Sequence, residues 1–178
     1  MRLLLFLGLA LMATAGEETV THRITGLFSK DREAGLRAAV ARIPGLTLVS
    51  LDFDHAEAVF RYDPAIAFKG TPAEPAKIIE RLHSELGGVS RNTFGAAPRL
   101  TTPREKLTRI EIPAAGCDCP ACNLVACESI SKIEGVAQAT SNFREGKITA
   151  LIDPEKTNRA ALEDALKKRG VTLTPAGP

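Results

Sequence analysis

The sequence predicts an α+β fold made of two consecutive βαββαβ units of about 70 residues each. The first observation behind this prediction is a register of ninety residues, in which Gly45 corresponds to Gly135 and Asp63 to Asp153 without a gap. The second is that each half alternates short β-rich runs with helical apolar stripes. We interpret the register as a tandem duplication of one unit. The alternative is that two unrelated α+β halves share it by chance.

The first unit begins with an alternating run over 19–27, which predicts a strand. Ser29 is the predicted N-cap of a following helix, which a Pro-Gly pair ends after residue 43. Two β-rich runs, 46–53 and 58–62, flank a polar turn and predict a hairpin.

The first unit closes with a second helix and a strand. The helix has apolar residues from Ile78 to Leu86, and Gly87 and Gly88 are predicted to end it. Residues 89–94 are predicted to form the last strand. About eight residues more than in the second unit precede this helix.

The second unit repeats the same plan. An alternating run over 107–112 predicts its first strand, and residues 158–168 predict its closing helix. Gly170 ends that helix, and 171–174 predicts the last strand. The apolar stripe of the helix between them consists of Ala126, Ile130 and Ile133.

The first fifteen residues are typical of a secretory signal peptide, because one positive charge precedes a short apolar run and an Ala-Thr-Ala end. The apolar run is short for a membrane span, and the alternatives are an uncleaved anchor or a buried helix. We therefore expect a periplasmic or secreted protein that lacks residues 1–15. The mature chain divides into a first domain (16–96), a proline-containing linker (97–106) and a second domain (107–178).

Composition gives no support for a nucleic-acid partner. The formal net charge is +2, which becomes +1 without Arg2, and aromatic residues make up only 4% of the chain. This charge balance does not suggest nucleic acid, and the scarcity of aromatic residues weakens binding by stacking, so nucleic acid is not an expected partner.

All four cysteines lie within eleven residues, from Cys117 to Cys127. Disulfides that stabilise exported proteins usually link distant segments, so a local cluster fits a metal or redox site better. Cys119 and Cys122 form a Cys-x-x-Cys pair on a predicted strand-to-helix turn, where free N–H groups and the helix dipole favour thiolates. Zinc sites and redox dithiols share this spacing, so both interpretations stay open.

The loop 116–122, which reads Gly-Cys-Asp-Cys-Pro-Ala-Cys, resembles the Gly-Met-x-Cys-x-x-Cys loop of heavy-metal-associated domains. The resemblance continues through 130–136 and 152–154 and covers about 107–175. This family includes copper chaperones, the periplasmic mercury-binding protein and N-terminal domains of metal-transporting P-type ATPases. The resemblance implies that each unit is a ferredoxin-like βαββαβ sandwich. The main departure is Cys117, where the family usually has Met.

The resemblance also implies a binding site. Cys119 and Cys122 would be the ligands of one soft or borderline cation, namely Hg, Cu, Zn, Cd or Pb. Cys117 is either a third ligand or a small buried residue. Asp118 is either an oxygen ligand, as in zinc-, cadmium- and lead-exporting ATPases, or a solvated loop carboxylate. The implied partner is a metal-transporting membrane protein or another thiol that accepts the metal.

Two further positions bear on the site. Cys127 lies about 140° around the helix from Cys122 and is expected to be exposed. In the first unit, Ser29 and Arg32 stand where the second unit has Cys119 and Cys122, so we expect no soft-metal binding there. The alternative is that Arg32 and the helix N-terminus hold an anion.

No residue pattern places a nucleophile and a base at one site, so we expect no enzymatic activity. His22, His55 and His83 are scattered, and we expect each to be a surface or hydrogen-bonded residue. The sequence favours a metallochaperone or a metal scavenger. The alternatives are a periplasmic thiol–disulfide module on the same cysteines, and a partner-docking scaffold whose metal site is vestigial.

Overall fold

A computed structural model describes residues 17–64, 66–70, 74–115, 119–142 and 144–174. The predicted signal peptide, Cys117 and Asp118 lie outside these residues. Within the described residues, no helix combines the length and the apolar character needed to cross a membrane.

The first unit forms a four-stranded antiparallel sheet with two helices. Its elements are β1 (Glu18–Thr25), α1 (Arg32–Val40), β2 (Leu46–Asp52), β3 (Glu57–Tyr62), α2 (Pro75–Ser90) and β4 (Gly95–Ala97). The strand order is β2-β3-β1-β4. A short 3₁₀ turn, Ala67–Gly70, leads toward α2.

The second unit has the same architecture. Its elements are β5 (Thr108–Ala115), α3 (Pro120–Ser131), β6 (Val136–Asn142), β7 (Lys147–Ile152), α4 (Arg159–Lys168) and β8 (Thr172–Leu173). The strand order, β6-β7-β5-β8, matches that of the first sheet. The fold is therefore two tandem ferredoxin-like βαββαβ sandwiches, as predicted.

The register of ninety residues holds in the bounds of three strands and in one turn, although the pairing irregularity lies at Val49 in β2 and at Ala137 in β6. Strands β1, β2 and β3, shifted by ninety residues, coincide with β5, β6 and β7. The amide of Asp63 donates to the carbonyl of Gly45 at 2.9 Å, and Asp153 donates to Gly135 at 2.7 Å. Both glycines have positive φ, 71° and 88°, which other residues rarely adopt. The same turn therefore positions the hairpin in each unit.

The end of the first unit differs from the prediction. Helix α2 continues through Gly87 and Gly88 to Ser90, and the strand follows at 95–97 rather than at 89–94. Glycine in a helix costs about 1 kcal/mol, but tertiary packing can outweigh this cost. Val89 packs against the buried core of the first unit, so packing keeps this turn helical. Arg91, at φ 54°, ends the helix.

Each unit has its own apolar core between sheet and helices. The first core centres on Phe60, Leu82 and Leu86, all of them fully buried. The second core includes Ile130 and Leu162, and it also contains Phe28 from the first unit. The two sandwiches therefore share apolar packing across their boundary.

Backbone and side-chain hydrogen bonds reinforce this boundary. The amide of Ser141 in β6 donates to the carbonyl of Phe28 at 2.8 Å. Arg23 in β1 donates to the carbonyls of Val136 and Ser131, and Ser131 is the last residue of α3. A cation at a helix C-terminus interacts favourably with the helix dipole. The first unit thus contacts both β6 and the helix that carries Cys122.

Side chains of the predicted linker form hydrogen bonds with both units. Arg99 donates to Glu57 at 2.9 Å, and Arg104 donates to Asp52 at 2.8 Å and to Glu57. Thr102 donates to Asp153 in the second unit at 2.5 Å. Burial by itself would raise the pKa of the Glu57 carboxyl, but the bonds and charges of Arg99 and Arg104 outweigh burial and lower it.

Loss of the Arg104 side chain should remove a stabilisation that depends on pH. We expect Arg104→Gln to lower the free energy of unfolding by about 1 kcal/mol at pH 7. The lowered pKa values of Asp52 and Glu57 stabilise the fold above their unfolded values, and this contribution disappears as pH falls through the folded values. The difference between variant and wild type should therefore shrink below about pH 4. Urea unfolding across this range measures it.

Arg61→Gln is the matched control, since Arg61 pairs with Glu17 where both side chains are about half exposed or more. It should change stability by less than about 0.5 kcal/mol. An equal loss in both variants would show that the linker pairs contribute no more than a surface ion pair.

Candidate metal and thiol site

The cysteine pair lies at the N-terminus of α3. Cys119 is the N-cap residue, with an extended backbone at φ −121°, and Cys122 lies in the first helical turn. The backbone N–H of Cys122 donates to Sγ of Cys119 over 3.0 Å. The predicted strand-to-helix position of the two residues is therefore confirmed. A free helix N–H directed at sulfur stabilises negative charge on that sulfur.

The two sulfur atoms are joined in a disulfide, with the Cα atoms 5.2 Å apart. The fold thus brings Cys119 and Cys122 together, as both a metal site and a redox dithiol require. Thiolates, not a disulfide, are the ligands of soft metals, so a cation can bind only after two-electron reduction. Ligation of a metal by this pair remains a prediction.

The site is open to solvent on one side. Cys122 and Ala121 are exposed, and Cys119 is half-buried. Val125, one turn further along α3, is 44% exposed. A second thiol can therefore approach this face of the helix and reach the cysteines.

Asn123 supports the backbone of the site and was not identified from the sequence. Its residue exposure is only 1%, and its side-chain Nδ2 donates to the carbonyl of Cys119 at 2.8 Å. The backbone N–H of Asn123 donates to the same carbonyl at 3.1 Å. A sequence signal did exist, because Asn123 lies three and seven residues before Ala126 and Ile130, on the buried side of the helix. A polar residue on an apolar stripe indicates a specific hydrogen bond.

Cys127 is buried at 4% exposure, so the prediction of an exposed thiol was wrong. The prediction that Cys127 lies on a different side of the helix from Cys122 agrees with its burial beside an exposed Cys122. That side of α3 is covered by the first unit, however, and Cys127 lines a cavity of about 20 Å³ together with Leu27 and Phe28. Sequence periodicity describes one helix and cannot reveal what a neighbouring domain covers.

The corresponding loop of the first unit differs in two respects. Asp31, not Ser29, occupies the N-cap position of α1, and it makes no side-chain cap bond, so the predicted role of Ser29 was wrong. The guanidinium of Arg32 lies 4.5 Å from the ring centroid of Phe28 and 5.1 Å from that of Phe94. Burial lowers the pKa of Arg32, against an opposing effect of Asp31. A cation held between two rings occupies the position of the second cysteine.

The histidines do not gather around the cysteines. His55 bonds Asp52 at 2.9 Å, and His83 lies 3.0 Å from the carbonyl of Ala96. Burial, followed by the nearby charge of Arg99, lowers the pKa of His22. Across the residues that the structure describes, no group of three or more His, Cys, Asp or Glu side chains could hold a metal ion.

Replacing Asn123 should alter the chemistry of the cysteine pair as well as stability. Asn123→Ala removes a buried bond to the Cys119 carbonyl and should lower the free energy of unfolding by about 1–3 kcal/mol. It should also shift the thiol–disulfide equilibrium of Cys119 and Cys122 with glutathione, because the backbone of Cys119 is held less firmly.

The matched control for this experiment is Asn158→Ala, which removes the N-cap bond of α4 to the amide of Ala161. It should cost about 1 kcal/mol and leave the glutathione equilibrium unchanged. If Asn123→Ala and Asn158→Ala show the same thiol–disulfide equilibrium with glutathione, Asn123 contributes only to stability.

No protein-family model and no protein of curated function matches this chain. Solved structures do match it. The N-terminal domain of a potential copper-translocating P-type ATPase from Bacillus subtilis, in the Cu(I)-loaded state, is 31% identical, with 38% of this chain and 85% of that domain covered and a TM-score of 0.37. Oxidized MerP from Ralstonia metallidurans CH34 is 25% identical over 38% of this chain and 94% of its own, with a TM-score of 0.36.

One of the matching structures extends over both units. The N-terminal soluble domains of Bacillus subtilis CopA are 20% identical and cover 90% of this chain and 94% of their own, with a TM-score of 0.36. The fold itself is established by the strand order and hydrogen-bond register of the two sheets. The solved structures to which this chain is similar include metallochaperones and metal-binding domains of transporters, the heavy-metal-associated proteins that its cysteine loop resembles.

Proposed function

We propose that this chain is a non-enzymatic heavy-metal-binding protein, acting as a metallochaperone or scavenger, that holds one soft or borderline cation on Cys119 and Cys122. The observation that carries the proposal is the convergence of the two sulfurs at an exposed helix N-terminus. Two thiolates with a backbone N–H donor beside them form a site for a soft cation.

Loading takes two balanced steps. A thiol reductant supplies two electrons and two protons, which convert the Cys119–Cys122 disulfide into two thiols. A divalent cation then binds both sulfurs and releases two protons. The protein therefore needs a reducing partner or direct delivery of metal to its reduced form.

Exposure of the cysteines makes transfer to another protein feasible. Since Cys122 is exposed and Cys119 is half-buried, an incoming thiolate can bind the ion before an original ligand leaves. The ion then never loses all its ligands. We propose a metal-transporting membrane protein or another thiol protein as the acceptor, and a periplasmic or secreted location. Intact mass of the exported chain tests the predicted removal of residues 1–15.

The alternative function is a thiol–disulfide module that uses the same pair. The disulfide in this structure favours it, because a redox module cycles through that state. In this case, reduced protein would transfer electrons to a substrate disulfide instead of retaining metal. An insulin-reduction assay, run beside a metal titration, distinguishes the two functions.

The central test is a titration of the reduced full chain with Hg(II) or Cd(II). We expect one ion per chain, and Cys119→Ser or Cys122→Ser should weaken binding by at least about a hundredfold, since each removes a thiolate ligand. Cys127→Ala is the matched control, because Cys127 is buried away from the pair, and it should bind as the wild type does. Wild-type affinity in either serine variant would contradict the assignment.

A second part of the same titration addresses the residues next to the pair. Zn(II) and Cd(II) usually require about four ligands, and a carboxylate favours divalent over monovalent cations. If Cys117 and Asp118 supply extra ligands, Cys117→Met and Asp118→Ala should weaken Cd(II) and Zn(II) binding relative to Cu(I). Unchanged relative affinities would leave a site of two thiolates only.

A further inference from the structure

The loop 26–29 of the first unit corresponds in register to 116–119 of the second, where the cysteine motif lies. In the first unit this loop has a different role. Phe28 is 4% exposed, and it belongs to the apolar core of the second unit rather than to that of its own. The loop therefore inserts into the neighbouring domain.

Gln138 in β6 anchors the inserted loop. Its side-chain amide nitrogen, Nε2, donates to the carbonyl of Leu27 at 3.1 Å and to that of Phe53 at 2.9 Å. Its Oε1 accepts from the amide of Ala139 at 2.9 Å, and the residue is 8% exposed. The bond to Leu27 holds the loop, and the bond to Phe53 holds the β2–β3 hairpin of the first unit beside it. Undocking would exchange these bonds for bonds to water, so each contributes a modest net stabilisation of the docked arrangement. The docked arrangement is thus specifically stabilised.

The docked loop covers one face of α3. Leu27 and Phe28 line the same small cavity as Leu124 and Cys127 of this helix. The opposite, solvent-facing side carries Cys122. One helix therefore has an accessible cysteine and a covered one, and the docked first unit lies against the covered one.

We propose that the docked loop 26–29 is an intramolecular lid that keeps Cys127 out of thiol and metal chemistry. Thiol exchange requires access to the sulfur. An accessible Cys127 thiolate could attack the Cys119–Cys122 disulfide of a second copy of the chain, form a new S–S bond with one sulfur and release the other as a thiolate. It could also bind a soft cation. The lid restricts both reactions to the exposed pair and gives the first domain a role without metal of its own.

The test uses the full chain with Cys117, Cys119 and Cys122 replaced by serine, so that Cys127 is its only thiol. N-ethylmaleimide is added, and intact mass gives the labelling rate. In the folded chain, labelling should be at least about a hundredfold slower than in guanidinium, because it requires local opening. Labelling of the folded chain at the unfolded rate would overturn the proposal.

Variants of the lid identify what covers the thiol. Phe28→Asp places a charge in the apolar slot and should speed labelling by at least about tenfold, whereas Phe28→Leu should keep the protection. Gln138→Ala removes the anchor without altering the loop and should also speed labelling. Val49→Asp, at a residue that is 53% exposed in β2, is the matched control and should have no effect.

Circular dichroism and urea unfolding establish that each variant folds. Should Phe28→Asp fail to fold, Gln138→Ala carries the test. If folded lid variants label at the wild-type rate, the second domain buries Cys127 by itself and the proposal is wrong. The outcome does not depend on metal binding, so it is independent of the proposed function.

Discussion

The side chain of Gln138 fixes how the two units face each other. It contacts two carbonyls of the first unit, Leu27 and Phe53, from a buried position in β6 of the second. Apolar packing around Phe28 contributes stabilisation but tolerates sliding, because dispersion contacts are weakly directional. Buried hydrogen bonds tolerate little displacement, since each one lost costs about 1–3 kcal/mol. The polar contacts therefore select one arrangement among those that bury Phe28.

The repeat also explains why β6 receives the loop and its counterpart β2 does not. In the strand pairing, Gln138 lies opposite Leu151, and Thr47 lies opposite Arg61, the residue that corresponds to Leu151. Gln138 therefore corresponds to Thr47, which has no side-chain amide, and Ala139 corresponds to Leu48. Ala139 is 3% exposed, whereas Leu48 is a larger, branched residue that is only partly buried. Small residues beside Gln138 let another backbone approach closely, whereas a branched residue keeps it away. Changes at a few positions of one strand therefore decide which sheet edge is covered.

Much of the fold could be predicted because its signals are local. Turn residues such as Gly45 and Gly135 must adopt positive φ, and the alternating runs beside them specify strands. The end of α2 was mispredicted, since two glycines suggested a stop while tertiary packing of Val89 extended the helix. Such packing depends on residues distant in sequence, which local propensity does not contain.

Part of the candidate site could likewise be predicted from local sequence, and part depends on distant residues. The spacing of Cys119 and Cys122 predicted a pair at a helix N-terminus, because both residues belong to one turn. The burial of Cys127 could not be predicted, since the residues that cover it lie about a hundred positions earlier in the chain. Asn123 could have been found, as it interrupts an apolar stripe.

The proposed metal exchange and the docking of the first unit place incompatible demands on the same loop. A loop that exchanges a ligand with a partner must leave its thiolates accessible, as Cys122 is. A loop that docks a domain must bury an apolar side chain, as Phe28 is buried. A single copy cannot satisfy both demands, because the same few residues would have to be exposed and covered. With two copies, one loop can be exposed and the other buried. In the buried copy, Arg32 lies between Phe28 and Phe94, at the position that Cys122 occupies in the second unit. The first loop, which has no cysteine to keep accessible, can therefore be buried by docking.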